Sequence, residues 1–227
     1  MPKLKLIYFK MRALAEAPQM IMHYAGIKYF YIMAWDFYKK PWIEAKGSVP
    51  FNQLPVLVID DKTHVSQSGS IVRYVAKLAS IVPDNEILAA EVDAVFETTQ
   101  EMFFPLNPTI NFAVGEDYKK KQTALLESLS GTLSNFERIL KGSSGTYFFG
   151  SNPYYCDFGA YHHISLAQML DETLLDDYPN IEFLMHGIET IPGVIDYLKN
   201  RPRLVGVGTE PKLIIDGVSR KTGVIKD

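Results

Sequence analysis

Two apolar runs near the amino terminus, separated by a stretch with helical spacing, constrain this fold more than any other feature. Leu4-Lys5-Leu6-Ile7-Tyr8 reads as a buried strand and Phe30-Tyr31-Ile32-Met33-Ala34 as a second. Between them Pro18 to Tyr24 opens a helix that stops at Gly26, where glycine supplies the C-terminal cap. Strand, helix and strand within ~30 residues is the spacing of a βαβ unit, whose crossover makes the two strands parallel.

Further on, Val56-Leu57-Val58-Ile59 and Thr63-His64-Val65 flank Asp60-Asp61-Lys62, a turn-prone link between antiparallel strands. Ser68 is the expected N-cap of the next helix, whose apolar face is Ile71, Val72, Val75 and Leu78. The order βαβ–ββα predicts a four-stranded mixed sheet with helices, an α/β thioredoxin-like domain over residues 1–80. Residues 81–85, with Pro83 among them, read as a linker.

From Glu86 onward strand signals nearly vanish, so residues 86–205 are predicted to be an all-α domain. Val92, Val95, Phe96, Thr99 and Phe103 recur at three- and four-residue steps until Pro105 and Pro108 interrupt the pattern. Tyr118, Leu125, Leu129, Leu133, Phe136 and Leu140 mark a long second helix. Further helices fit Phe158 to Leu170, Ile181 to Thr190 and Val194 to Asn200. Residues 206–227 carry no pattern that assigns a structure.

Composition narrows the function. With 23 Lys+Arg against 26 Asp+Glu, a net charge of −3 and no long basic run, the chain is not built to neutralise nucleic-acid phosphates or to coat an anionic membrane. Small molecules or other proteins are the expected partners. Apolar runs stay short of the ~20 residues that span a bilayer, and Met1-Pro2-Lys3-Leu4 begins no signal-peptide pattern, which predicts a cytoplasmic protein. The lone Cys156 can form neither an internal disulfide nor a Cys-rich zinc site, and it reads as a small buried hydrophobe. His162 and His163 lack further ligands at helical spacing, so surface or packing roles are expected and no metal. Thiol chemistry, if present, must arrive with a ligand.

Three features could hold such a ligand. Tyr8 stands at the carboxyl end of the first strand, the edge where open α/β sheets bind ligands, and its hydroxyl can donate to a developing thiolate. It also fits as a core aromatic. Gln53-Leu54-Pro55-Val56 places a proline just before a strand, and a cis bond there would expose the Leu54 backbone for pairing with an extended peptide. Ser66-Gln67-Ser68-Gly69-Ser70 lies at a helix start, where backbone N–H groups and the Ser68 hydroxyl either cap the helix or bind a carboxylate.

These features occur in the order and spacing of the glutathione transferase superfamily, and the chain resembles its tyrosine-type cytosolic enzymes, most of all the sigma class. The resemblance is carried by Leu6-Ile7-Tyr8-Phe9-Lys10-Met11-Arg12 with Ala15-Glu16, Pro50-Phe51-Asn52-Gln53-Leu54-Pro55-Val56-Leu57 and Gln67-Ser68-Gly69-Ser70-Ile71-Val72-Arg73-Tyr74. Asp157-Phe158 and Ile191-Pro192-Gly193-Val194 add to it, and coverage runs over roughly residues 4 to 205.

The resemblance implies a homodimer that binds glutathione as co-substrate and conjugates it to apolar electrophiles bound between the two domains. By it Tyr8 donates to the glutathione sulfur, and Leu54 pairs with the cysteinyl part beside a cis Pro55. Gln67 and Ser68 hold the γ-glutamyl carboxylate, Trp42 and Lys46 bind the glycine end, and Gln53 occupies a loop position that contacts the tripeptide. Glu101 reaches the ligand's amino group from the partner subunit. Met102, Phe103, Phe104 and Phe112 fit either core or the acceptor wall. Two positions depart from the family: Leu14 stands where relatives carry a second arginine, and Tyr154 replaces the Ser/Thr of a capping box with Asp157. Alternatives are a glutathione-dependent lipid or prostaglandin isomerase and a non-catalytic ligand-binding or crystallin-like protein.

Overall fold

The structure, a computed structural model, describes residues 1–209, 212–215 and 218–221, giving backbone only for residue 205 and the last two segments. Along the chain run β1 (Leu4–Tyr8), α1 (Glu16–Tyr24), β2 (Tyr29–Met33), α2 (Ala34–Tyr38), α3 (Trp42–Ala45), β3 (Val56–Ile59), β4 (Thr63–Ser66) and α4 (Ser68–Leu78). Then come α5 (Glu86–Asn111), α6 (Gly115–Lys141), α7 (Tyr155–Ala167), α8 (Pro179–Glu189), α9 (Pro192–Asn200), β5 (Arg203–Val205), β6 (Lys212–Ile215) and β7 (Val218–Lys221).

The first sheet has the order β2-β1-β3-β4. β1 pairs parallel with β2, in register Tyr8 with Met33, and antiparallel with β3, as the βαβ–ββα order requires. Asp60 and Asp61, at φ +52° and +57°, close the β3–β4 hairpin with a Lys62 N–H to Ile59 carbonyl bond of 3.0 Å. Two consecutive positive φ values twist this turn in the sense of its strands. Leu6, Ile7, Val56 and Leu57 are fully buried, so the central strands make a rigid platform under Tyr8.

Several expectations need correction. The chain between β2 and β3, to which the sequence reading assigns no element, carries α2, α3 and two short 3₁₀ turns at Lys46–Ser48 and Pro50–Asn52. The N-cap of α4 is Gln67 rather than Ser68, because Gln67 takes up φ +72° where the chain leaves β4. Pro105 and Pro108 do not end α5, which runs through both. Packing holds it: α7 lies so close that a Cβ on Gly159 would sit 2.8 Å from Thr99 Oγ1 and 3.0 Å from Phe96 Cδ2. Tertiary contact thus outweighs two missing backbone donors.

His162 and His163 are both buried in α7, as are Cys156 and Asp157. Asp157 makes its half of the capping box, accepting from Tyr154 N–H at 2.7 Å, and from Phe148 N–H at 3.0 Å. The Asp157 N–H goes to the Tyr154 carbonyl, at 3.1 Å. Residues 206–209 form a turn, and β5–β6–β7 make a second, antiparallel sheet that no sequence pattern announces.

Candidate active site

A cavity of about 600 Å³ lies between the sheet domain and α5, within the ~300–1,000 Å³ usual for small-molecule sites. Its walls bring together Tyr8, Trp42, Lys46, Gln53, Leu54, Gln67 and Ser68, seven residues singled out from sequence. Pro55 does not line it; the Leu54–Pro55 peptide just before β3 is cis. Glu101 does not line it; its side chain is exposed on α5.

Each wall has a local cause. Tyr8 ends β1 with only 5% exposure, its ring tilted on Phe9, which in turn meets Trp42 edge-on and stacks on Trp35. Tyr31 anchors this corner by donating to the Phe9 carbonyl. Gln67, with its positive φ, turns the chain so that Ser68, Gly69 and Ser70 open α4 facing the cavity, and no side chain caps their N–H groups. Uncapped donors at a helix start carry partial positive charge suited to a carboxylate. Backbone strain of this kind costs about 1–3 kcal/mol and clusters at binding sites.

Burial pushes the Tyr8 hydroxyl well above its ordinary value, and the Leu14 backbone N–H opposes this only in part. A phenol with the ordinary value of ~10 is already protonated at neutral pH, and burial reinforces that, so Tyr8 keeps the hydrogen it would donate. Leu14 itself lines the cavity, presenting an apolar side chain there.

The opposite wall comes from α5 and just beyond it. Phe103, Phe104 and Phe112 face the cavity, whereas Met102 is buried in the core. Sequence reasoning missed Arg73, Glu97 and Gln100, which also line it. Arg73 donates to Asp93 Oδ1 at 2.7 Å, pairs with Glu97, and lies 5.2 Å over the Phe96 ring. Tyr155 donates to the same Asp93 oxygen at 2.7 Å. These partners sit on helices separated by the linker, so no local spacing signals them. Among the described residues no three His, Cys, Asp or Glu side chains gather as a metal set, and no helix is long and apolar enough to cross a membrane.

Comparison with known proteins agrees with this geometry. Residues 14–78 match the family model of the glutathione S-transferase N-terminal domain, and residues 106–201 that of the C-terminal domain. Probable glutathione S-transferase 6 of Caenorhabditis elegans is 27% identical over 87% of this chain and 96% of its own length. The human hematopoietic prostaglandin D synthase is also 27% identical, over 89% of this chain and 98% of its own. The solved structure of NaGST-2 superposes with a TM-score of 0.79 at 25% identity, over 89% of this chain and 98% of that one. Matched in order by both domain models, the chain belongs to the glutathione S-transferase family.

Proposed function

We propose that this protein is a glutathione transferase of the tyrosine type, sigma-like, which conjugates glutathione to electrophilic, largely apolar acceptors. One observation carries the reading: a buried Tyr8 shares a cavity with the α4 start and an aromatic wall.

Glutathione lies along the sheet edge. The Leu54 backbone pairs with its cysteinyl unit, and Gln67 Nε2, Ser68 and the first N–H groups of α4 bind the γ-glutamyl carboxylate. Lys46, Trp42 and Gln53 hold the remainder. Tyr8 O–H donates to the sulfur and favours thiolate over thiol. A free thiol near pKa ~8.5 is only a few per cent ionised at pH 7, and lowering it by two units takes roughly 2.7 kcal/mol. A hydrogen bond to a charged group supplies about 1.5–3 kcal/mol, so Tyr8 accounts for most of that. The thiol proton leaves to solvent, the sulfur forms a bond to the electrophilic carbon, and the leaving group departs with its electron pair. Holding both reactants in one cavity supplies the rest of the acceleration.

The protein acts as a cytoplasmic homodimer in this reading, with Glu101 offered to the partner's ligand from the exposed side of α5. A second reading, a glutathione-dependent lipid isomerase, is supported by the likeness to prostaglandin D synthase and by the Phe103, Phe104 and Phe112 wall. The test is retention on immobilised glutathione followed by a conjugation assay with a general electrophile. Retention and turnover are expected, and Tyr8→Phe is expected to keep binding while turnover falls at least ~10-fold. Equal turnover of the two proteins removes Tyr8 from the mechanism.

A further inference from the structure

We propose that the turn at residues 206–209 is a clamp that positions Phe112 and thereby sets which acceptors the cavity takes. This inference rests on the transferase reading above and extends it to specificity.

The family match stops at residue 201, and relatives covered almost end to end leave about a tenth of this chain unmatched. The segment beyond β5 lies outside the matched C-terminal domain, and its first part is well anchored. Thr209 N–H bonds the Gly206 carbonyl at 2.9 Å, closing a turn in which Gly206 and Gly208 have φ of +65° and +77°. Gly208 is buried, bridges Val114 in parallel fashion, and accepts from Gly115 N–H at 2.9 Å. Its bare backbone lies on the Tyr118 ring: a Cβ there would stand 2.5 Å from Cδ1. Position 208 thus requires glycine twice over, by φ and by contact.

The clamp grips a weak part of the molecule. Pro105 and Pro108 each remove a backbone donor from the final turns of α5, the stretch that carries Phe104 and Asn107 into the cavity and ends at Phe112. Phe112 N–H reaches only the Pro108 carbonyl, at 3.3 Å, and its backbone has left helical values at φ −133°. Val114 and Gly115, the clamped residues, begin two positions later. Holding them fixes the α5–α6 corner, and with it an aromatic face against which a flat, bulky apolar acceptor packs. The glutathione side is built on the end of β1, α3 and the turn after it, the stretch just before β3 and the start of α4, and residues 206–209 do not line the cavity. Gly208 is accordingly a positioning residue for the acceptor, acting through Phe112.

The full-length Gly208→Val and Tyr118→Ala proteins test this, the first by overpacking the clamp and the second by removing its floor. Steady-state turnover is measured with a bulky and a small apolar electrophile, with Phe112→Ala and the Gly208→Val/Phe112→Ala double variant alongside. Both clamp variants are expected to raise KM for the bulky acceptor at least about fivefold relative to the small one, leaving KM for glutathione within about twofold. The double variant is expected to resemble Phe112→Ala alone, because two residues acting through one contact are not additive. Unchanged acceptor preference in both folded clamp variants, equal shifts in the two KM values, or multiplicative effects in the double variant would each overturn the proposal. Absence of turnover in the wild type would instead contradict the transferase reading. The clamp is then judged by the affinity of an apolar anilinonaphthalene sulfonate dye, expected to weaken in both clamp variants and overturning the proposal if unchanged.

Discussion

Glu16→Gln is expected to destabilise the protein by about 3–5 kcal/mol, although it alters no shape. Glu16 is 1% exposed and its Oε1 receives Arg12 Nε at 3.3 Å and an Arg201 guanidinium nitrogen at 2.7 Å. Arg12 is itself buried and reaches Ser165 of α7 at 3.3 Å, while Arg201 follows α9, so one carboxylate joins the turn after β1 to two helices of the second half. Burial pushes the Arg12 guanidinium below its ordinary value and Glu16 opposes that shift, with Arg201 adding repulsion. Removing the negative charge leaves two desolvated cations facing each other. For a chain of this size ~1 kcal/mol moves Tm by about 2–4 °C, so a fall on the order of 10 °C is expected at fixed protein concentration. Urea unfolding of both proteins measures the loss directly. Replacing all three residues by apolar side chains of similar volume should recover most of it. A loss under ~1 kcal/mol, or one that added salt abolishes, would refute the reasoning, because a desolvated pair is poorly screened.

Acid pH should weaken the fold through His163, which is buried with Nδ1 2.9 Å from the Gly159 carbonyl and pushed down to about 4, chiefly by burial. The unfolded chain takes up this proton near pH ~6.5 and the folded one only near 4, so stability is complete above ~6.5 and is lost as pH falls toward 4. Near pH 5 wild type should have lost about 2 kcal/mol relative to His163→Phe, read from urea midpoints at that pH and near pH 7; a constant difference counts against it. Asp157→Ala strands the Phe148 and Tyr154 N–H groups and should cost about 2–4 kcal/mol, whereas a thermal midpoint equal to wild type would show that other acceptors replace it.

Local chemistry made the first half of this molecule readable. Alternating apolar runs, Gly26 and the Asp60-Asp61 turn specify the sheet, and a site built from strand ends and a helix start inherits that legibility. Of the cavity residues anticipated from sequence, Tyr8, Leu54, Gln67 and Ser68 lie on short local motifs of this kind, whereas Trp42, Lys46 and Gln53 were legible only through the family resemblance. Where contacts between distant elements decide, sequence patterns fell short. Pro105 and Pro108 signal a break that packing of α5 on α7 through Gly159 overrides. Arg73 needs Asp93 and Glu97 from across the linker to become visible as part of a wall. α2 and α3 are too short for a periodic signal, and the strands after residue 202 are specified by pairing and by the Gly208 contact rather than by alternation.

The central claim is that Tyr8 stabilises the thiolate of bound glutathione, and the ultraviolet absorbance of that thiolate, titrated with pH in the binary complex, tests it most directly. In the wild type the bound thiol should ionise about two units below its free value of ~8.5, and Tyr8→Phe should return it to near that value with glutathione still bound. The same lowered ionisation in both proteins would contradict the account.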